Sequence, residues 1–127
     1  MPLEKSIKVA CMKALRARGA LVYKNHGGPM GVRGIPDLVV HANGRTIYIE
    51  IKQPGEKPTE IQESEHRKLA AAGIPVCVCT SKEDAEAAFD RYLAGDPHNP
   101  GGAIVEAIRA GRYNARVGAF KMGGKGK

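Results

Sequence analysis

The stretch Pro36-Asp-Leu-Val-Val-His-Ala-Asn-Gly-Arg-Thr-Ile-Tyr-Ile-Glu-Ile-Lys52 decides the fold. It holds two β-rich runs, Asp37 to Ala42 and Arg45 to Lys52, joined by Asn43-Gly44. Asn-Gly between such runs is the preferred two-residue hairpin turn, because both of its positions need positive φ. Pro36, which has no N–H to donate, fits just ahead of the first strand. A two-residue turn also sets the register: Ala42 lies opposite Arg45, Val40 opposite Ile47, Leu38 opposite Ile49, and Asp37 opposite Glu50. Opposed side chains point to the same side with Cβ atoms about 4.5–5.5 Å apart. Because side chains alternate along a strand, Lys52 shares the face of Glu50 while Ile47, Ile49 and Ile51 take the other.

Like charges directly opposite each other destabilise a sheet, so Asp37 and Glu50 call for a cation. Lys52 is one candidate, which would make the group an ordinary ion-paired cluster. A hard divalent ion is the other, since Mg²⁺ takes oxygen ligands and commonly uses one or two protein carboxylates. A three-residue bulged turn would shift the register by one and separate the two carboxylates.

Working outward, Pro2 to Arg18 reads as a helix with Leu3, Ile7, Ala10, Cys11 and Ala14 as its apolar stripe, ended by Gly19. Leu21-Val-Tyr23 starts a short strand, and the glycine-rich segment from Asn25 to Gly34 reads as a mobile loop. After the loop Gln53-Pro-Gly-Glu-Lys-Pro58, Thr59 and Gln62 form a capping-box pattern for a helix from Thr59 to Ala72, closed by Gly73. Ile74 to Thr80 reads as a buried strand, and Ser81-Lys-Glu-Asp84 as a second capping box opening a helix to Ala94. Asp96 to Gly102 is a break, Ala103 to Ala110 one more short helix, and the Gly/Lys-rich end from Gly111 reads as poorly ordered. No internal repeat is visible. The expected fold is a mixed α/β domain, a small sheet flanked by helices.

The chain's 127 residues suffice for one compact domain. No stretch approaches the ~20 apolar residues of a membrane span and no signal-type segment follows the N-terminus, so a soluble cytoplasmic protein is expected. Three cysteines, Cys11, Cys77 and Cys79, make no disulfide framework and lack zinc-site spacing. All three read as small buried residues. Charge is divided along the chain: net +6 over residues 1–52, −5 over 53–106 and +6 over 107–127. Two basic ends around an acidic middle suit a protein that meets a polyanion with part of its surface, although a charge excess can also simply solubilise. With no Trp and six Phe and Tyr together, a stacking platform for single-stranded bases is poorly supplied.

Gly34-Ile-Pro-Asp37 followed by Glu50-Ile-Lys52 resembles the motif of the PD-(D/E)XK nucleases, and most closely that of the virus-type replication-repair nuclease domain, VRR-NUC, in its short stand-alone form. Glu4 on the first helix and Gln62 at the start of the next complete the ordered pattern. The segments after Leu69 and after Ser81 resemble the family's later strand and helix, so the resemblance covers residues 3–93. It implies a restriction-endonuclease-like core of order α-β-β-β-α-β-α over residues 1–95, with residues 96–127 as an extension.

The resemblance further implies a metal-dependent phosphodiesterase acting on DNA. Asp37, Glu50 and the carbonyl of Ile51 would bind Mg²⁺ or Mn²⁺, and Lys52 would orient the attacking water and stabilise developing charge. Glu4 would help hold an ion; read alone, it is an acid favoured by a helix N-terminus. Gln62 would position Lys52, the water or the phosphate; read alone, it is half of a capping box. Lys24 and Arg33 flank the glycine-rich loop and are candidate DNA contacts, as are Arg112, Arg116 and Lys121 in the basic tail. His41 reads as a surface strand residue, while His66 lies one helical turn beyond Gln62 on the same side. His26 lies near the hairpin, and His98 carries no signal. The expected function is a structure-selective DNA endonuclease, foremost at four-way junctions, acting as a homodimer. The alternatives are a flap or nicking enzyme, a catalytically inactive DNA-binding subunit, and an RNA nuclease.

Overall fold

The hairpin forms as its turn dictates. In the computed structural model, which describes residues 3–25 and 32–94 and the backbone of 113–114 and 119–120, Asn43 and Gly44 both have positive φ, 54° and 78°. Strand β2 (Leu38–Ala42) pairs antiparallel with β3 (Arg45–Ile51) in the expected register, Ala42 with Arg45 through Leu38 with Ile49. Asn43 also donates from Nδ2 to the carbonyl of Leu93 at 2.6 Å, tying the turn to a residue 50 positions along the chain.

Helix α1 (Glu4–Ala17) leads into β1 (Leu21–Lys24), which pairs antiparallel with β2. Beyond β3, helix α2 (Glu60–Ala71) carries the chain back so that β4 (Val76–Cys79) lies parallel to β3. Parallel neighbours need such a crossover because no tight turn can join them. Helix α3 (Lys82–Tyr92) follows, and the sheet order is β1-β2-β3-β4. This is the mixed sheet with flanking helices in the order α-β-β-β-α-β-α that the motif pattern implies. Among the described residues no helix is long and apolar enough to cross a membrane.

The core lies on the face of Ile47, Ile49 and Ile51, all fully buried, against Leu38, Val40, Cys79 and the packed pair α1 and α3. Burying each of these large aliphatic side chains contributes about 1.5–3 kcal/mol. On α1 the buried stripe is Ile7, Cys11, Met12 and Leu15 rather than the one expected from Leu3 to Ala14. Leu3 is 66% exposed because it stands outside the helix as its N-cap, ahead of the turn that meets the sheet.

Further expectations need correction. β4 is not a buried strand: Val78 is 42% exposed, since β4 is an edge strand and α2 buries no residue of its own over that face. Cys77 is accordingly half-buried, while Cys11 and Cys79 are buried and all three thiols are free. Burial pushes the Cys11 thiol up to about 11, and burial raises Cys79 and Cys77 as well, which keeps them protonated and unreactive. The second capping box is only half made. Ser81 accepts from the backbone of Asp84, but the Asp84 carboxylate turns to the N–H and hydroxyl of Thr80. In the C-terminal region β5 (Tyr113–Asn114) and β6 (Ala119–Phe120) pair as a small antiparallel ladder, and the rest of the end expected to be poorly ordered lies outside the described residues. The segment 26–31, with His26, and the expected helix over 103–110 lie outside the described residues.

Candidate active site

Asp37 sits immediately before β2, where two contacts fix its backbone. Asn25 donates from its backbone N–H to the Asp37 carbonyl at 2.8 Å and from Nδ2 to the Pro36 carbonyl at 2.8 Å. The Asp37 carboxylate is held too: Oδ2 accepts the Ile51 N–H at 2.8 Å, and Oδ1 lies 3.5 Å from Lys8 Nζ on α1. The side chain thus takes a donor on β3 one residue beyond Glu50, which brings the two carboxyl groups close enough to share a hydrogen bond.

Glu50 is only 2% exposed and Lys52 7%, on a face that the apolar core does not occupy. What covers Glu50 is the start of α2. Gly34 explains how that helix is held in place: it has φ +86°, and a Cβ there would stand 2.7 Å from the Ile61 carbonyl oxygen and 2.8 Å from Ile61 Cγ2. The loop carrying Gly34 and Asp37 therefore packs directly on the first turn of α2, a close approach that only glycine allows. From that turn Gln62 serves two partners. Its Oε1 accepts the Thr59 N–H at 2.9 Å, completing the capping box, while Nε2 donates to Glu50 Oε2 at 3.2 Å. The cap and the site use opposite ends of one amide.

One turn further, His66 Nε2 stands 3.6 Å from Glu50 Oε1, and both atoms are buried without a hydrogen-bond partner. Burial is the main reason that Glu50 is pushed up from 4.5 to about 8; Asp37 adds to it by charge and hydrogen bond, and Lys52 opposes it. Burial likewise raises Glu4, with Glu56 adding, Lys52 opposing and Asp37 adding less. Asp37, Lys52 and Glu4 thus lie within electrostatic reach of Glu50, and Glu56 beside Glu4.

Comparison with known proteins places the fold. The chain is 43% identical over 81 residues to "Putative nuclease p44" of Acyrthosiphon pisum secondary endosymbiont phage 1, covering 63% of this chain and 85% of that protein. A solved structure described as a VRR_NUC domain superposes with a TM-score of 0.62 at 26% identity, covering 71% of this chain and 97% of that one. The chain belongs to the VRR-NUC family of nucleases. A second solved VRR_NUC domain protein, at 19% identity and a TM-score of 0.54, shares the fold over 73% of this chain. No family model matches the chain.

Within this VRR-NUC chain the structure brings Asp37, Glu50, Lys52, Gln62 and Glu4 together, with the Ile51 backbone between the two strand residues. Lys24 and Arg33 are exposed. Lys24 lines a groove of about 320 Å³ with Val9, Met12, Lys13 and Arg16. Arg112, Arg116, Lys121, His26 and His98 lie outside the described residues. His41 is remote from the site, bonded through Nδ1 to Thr46 Oγ1 at 2.8 Å and set edge-on to Tyr23. Sequence reasoning missed Lys8, Asn25 and Glu56, whose partners lie far along the chain or in a loop without a motif.

The close ion pair expected of Lys52 does not occur among the described residues; Lys8 is the cation at Asp37, and Lys52 acts on Glu50 at longer range. No group of three His, Cys, Asp or Glu side chains placed for a metal occurs among the described residues. A hard divalent ion needs fewer, taking one or two carboxylates and completing its shell with carbonyl, water and phosphate oxygens. Adjacent Asp37 and Glu50, with the Glu50 Oε1 lacking any donor, fit such an ion.

Proposed function

We propose that the chain is a Mg²⁺- or Mn²⁺-dependent DNA endonuclease that selects branched substrates, foremost four-way junctions. The observation that carries this reading is the buried, donor-poor carboxylate of Glu50 set beside Asp37, with Lys52 next on the same strand face. Burying Glu50 is costly, and a cation at that place offsets the cost. Asp37, Glu50 and the Ile51 carbonyl would hold the ion, with Glu4 at the edge of the same cluster. When bound, a divalent ion there polarises a phosphoryl oxygen and lowers the pKa of a coordinated water.

The chain's own residues do the rest. Lys52, nearly buried among carboxylates, presents its ammonium to orient the water and to stabilise the charge that develops on the phosphate. Gln62 holds the Glu50 carboxylate in place. Lys8 neutralises Asp37 while no ion is bound. DNA approaches over α1, which carries Lys5, Lys8, Lys13 and Arg16 against Glu4 alone, whereas acids outnumber bases on α2 and α3. Lys13, Arg16 and Lys24 around the groove continue the positive path that starts at Lys8, with Arg33 and the basic tail as further backbone contacts. A homodimer would set two such sites about a two-fold axis, matching the two equivalent strands of a junction.

The test is cleavage of a labelled four-way junction beside a linear duplex and a flap, in Mg²⁺ and in EDTA, with Glu50→Gln and Lys52→Ala run alongside. Metal-dependent symmetric cuts that vanish in both variants support the reading. Cutting of the flap alone would change the substrate and keep the site. DNA binding without any cutting by the intact protein would replace the enzyme with a binding subunit.

A further inference from the structure

A buried carboxylate oxygen is costly to leave without a hydrogen-bond partner. At Glu50 Oε2 the Gln62 amide is that partner, at 3.2 Å. The other oxygen, Oε1, has none, and the polar atom facing it, His66 Nε2 at 3.6 Å, is buried and equally without a partner. Gln62 and His66 are four residues apart on α2, so both project from one face of the helix towards the same side chain.

We propose that His66 is the second donor to Glu50, a positioning residue that with Gln62 grips the carboxylate from both oxygens and orients it for a divalent ion. The inference rests on reading Asp37 and Glu50 as the ion site. The imidazole ring carries an N–H in either of its ordinary protonation states. Placed on Nε2, that hydrogen points at the acceptor lacking a partner. Closing from 3.6 Å to the 2.7–3.2 Å of an N–H···O bond takes less than about 1 Å of side-chain movement. An N–H given to a carboxylate oxygen makes a shorter and stronger bond than one given to a neutral acceptor. With that bond made, Glu50 loses the freedom to turn away from Asp37.

The experiment measures Mn²⁺ affinity of the full chain by electron paramagnetic resonance at neutral pH, for wild type, His66→Leu, His66→Gln and Asp37→Asn. Glutamine places an amide N–H where Nε2 stands; leucine fills the space with no donor. The expected result is a loss on the order of 10–100-fold for His66→Leu and recovery to within about threefold of wild type for His66→Gln, the range typical of residues that orient a metal ligand. Undiminished Mn²⁺ affinity in His66→Leu, with Asp37→Asn strongly weakened, would overturn the role of His66 and leave the ion site standing. Undiminished affinity in Asp37→Asn would overturn the ion site itself and the inference with it. A nitrogen hyperfine coupling from the ring in pulsed spectra of the wild-type Mn²⁺ complex would make His66 a direct ligand and overturn the positioning role. If His66→Leu does not fold, His66→Gln against His66→Asn decides: asparagine is too short to reach Oε1, and equal affinities would refute the proposal.

Discussion

Replacing Glu50 by glutamine should make the ion-free protein more stable while abolishing cleavage. In the fold the Glu50 carboxyl titrates near 8, raised from 4.5 by burial and by Asp37. A raised carboxyl pKa means that the neutral form is favoured in the native state. Its contribution is intact below about pH 4.5 and is lost progressively as pH rises towards 8, because the unfolded chain releases its proton first. At pH 7 the folded protein holds back a proton at a cost of about 3 kcal/mol, and above pH 8 the cost levels off at ~5 kcal/mol. The amide of the Glu50→Gln variant would carry no proton to lose, would accept from Gln62 through its carbonyl, and could donate to Asp37. Urea unfolding in EDTA, wild type against Glu50→Gln, should therefore give equal stabilities near pH 4.5. At pH 8 the variant should lead by several kcal/mol, or roughly 10 °C or more in Tm for a domain of this size. Added Mg²⁺ should stabilise the wild type only, by mass action. A stability difference that does not change between these two pH values would refute the claim that Glu50 is buried at a cost for the sake of its site.

Gly34→Ala places a methyl group against the Ile61 carbonyl at positive φ, so it should destabilise by about 1–3 kcal/mol. Because the same contact aligns Asp37 with Gln62, cleavage should fall further than the loss of folded protein explains, as Tm and kcat/KM measured together would reveal. The triple variant Lys13→Ala, Arg16→Ala, Lys24→Ala should lower the slope of log K against log salt for duplex DNA by roughly 2–3. An unchanged slope would remove the α1 groove from the DNA path. Ile49→Ala, at a fully buried position, should cost about 2–5 kcal/mol in chemical denaturation. A cost under about 1 kcal/mol would contradict the assignment of that strand face to the core.

The hairpin, its register and the two faces of β3 were legible in the sequence because they depend on local rules. Asn43-Gly44 admits one turn, a turn of two residues fixes every opposed pair, and alternation then sorts Ile47, Ile49 and Ile51 from Glu50 and Lys52. The order of helices and strands followed from caps and glycines in the same local way. The apolar stripe of α1 was misjudged for the opposite reason. Leu3, Ala10 and Ala14 keep helical spacing, but which arc of a helix is buried depends on where the sheet and α3 lie, and that placement chose Met12 and Leu15. β4 reads as a core strand by composition, and only its position at the sheet edge exposes Val78.

The site divides along the same line. Sequence alone determined which carboxylates and which lysine share a strand face and that Gln62 opens the following helix. The tertiary structure decided that Glu50 is buried, that Gln62 serves cap and carboxylate at once, and that Lys8 and Asn25 hold Asp37 while His66 faces Glu50. Those contacts join residues 11 to 29 positions apart, and no periodicity fixes how far a crossover helix folds back over its strand. Burial is the property that sets the Glu50 carboxyl apart from an ordinary surface acid, and burial belongs to the packing of α2 on the Gly34 loop.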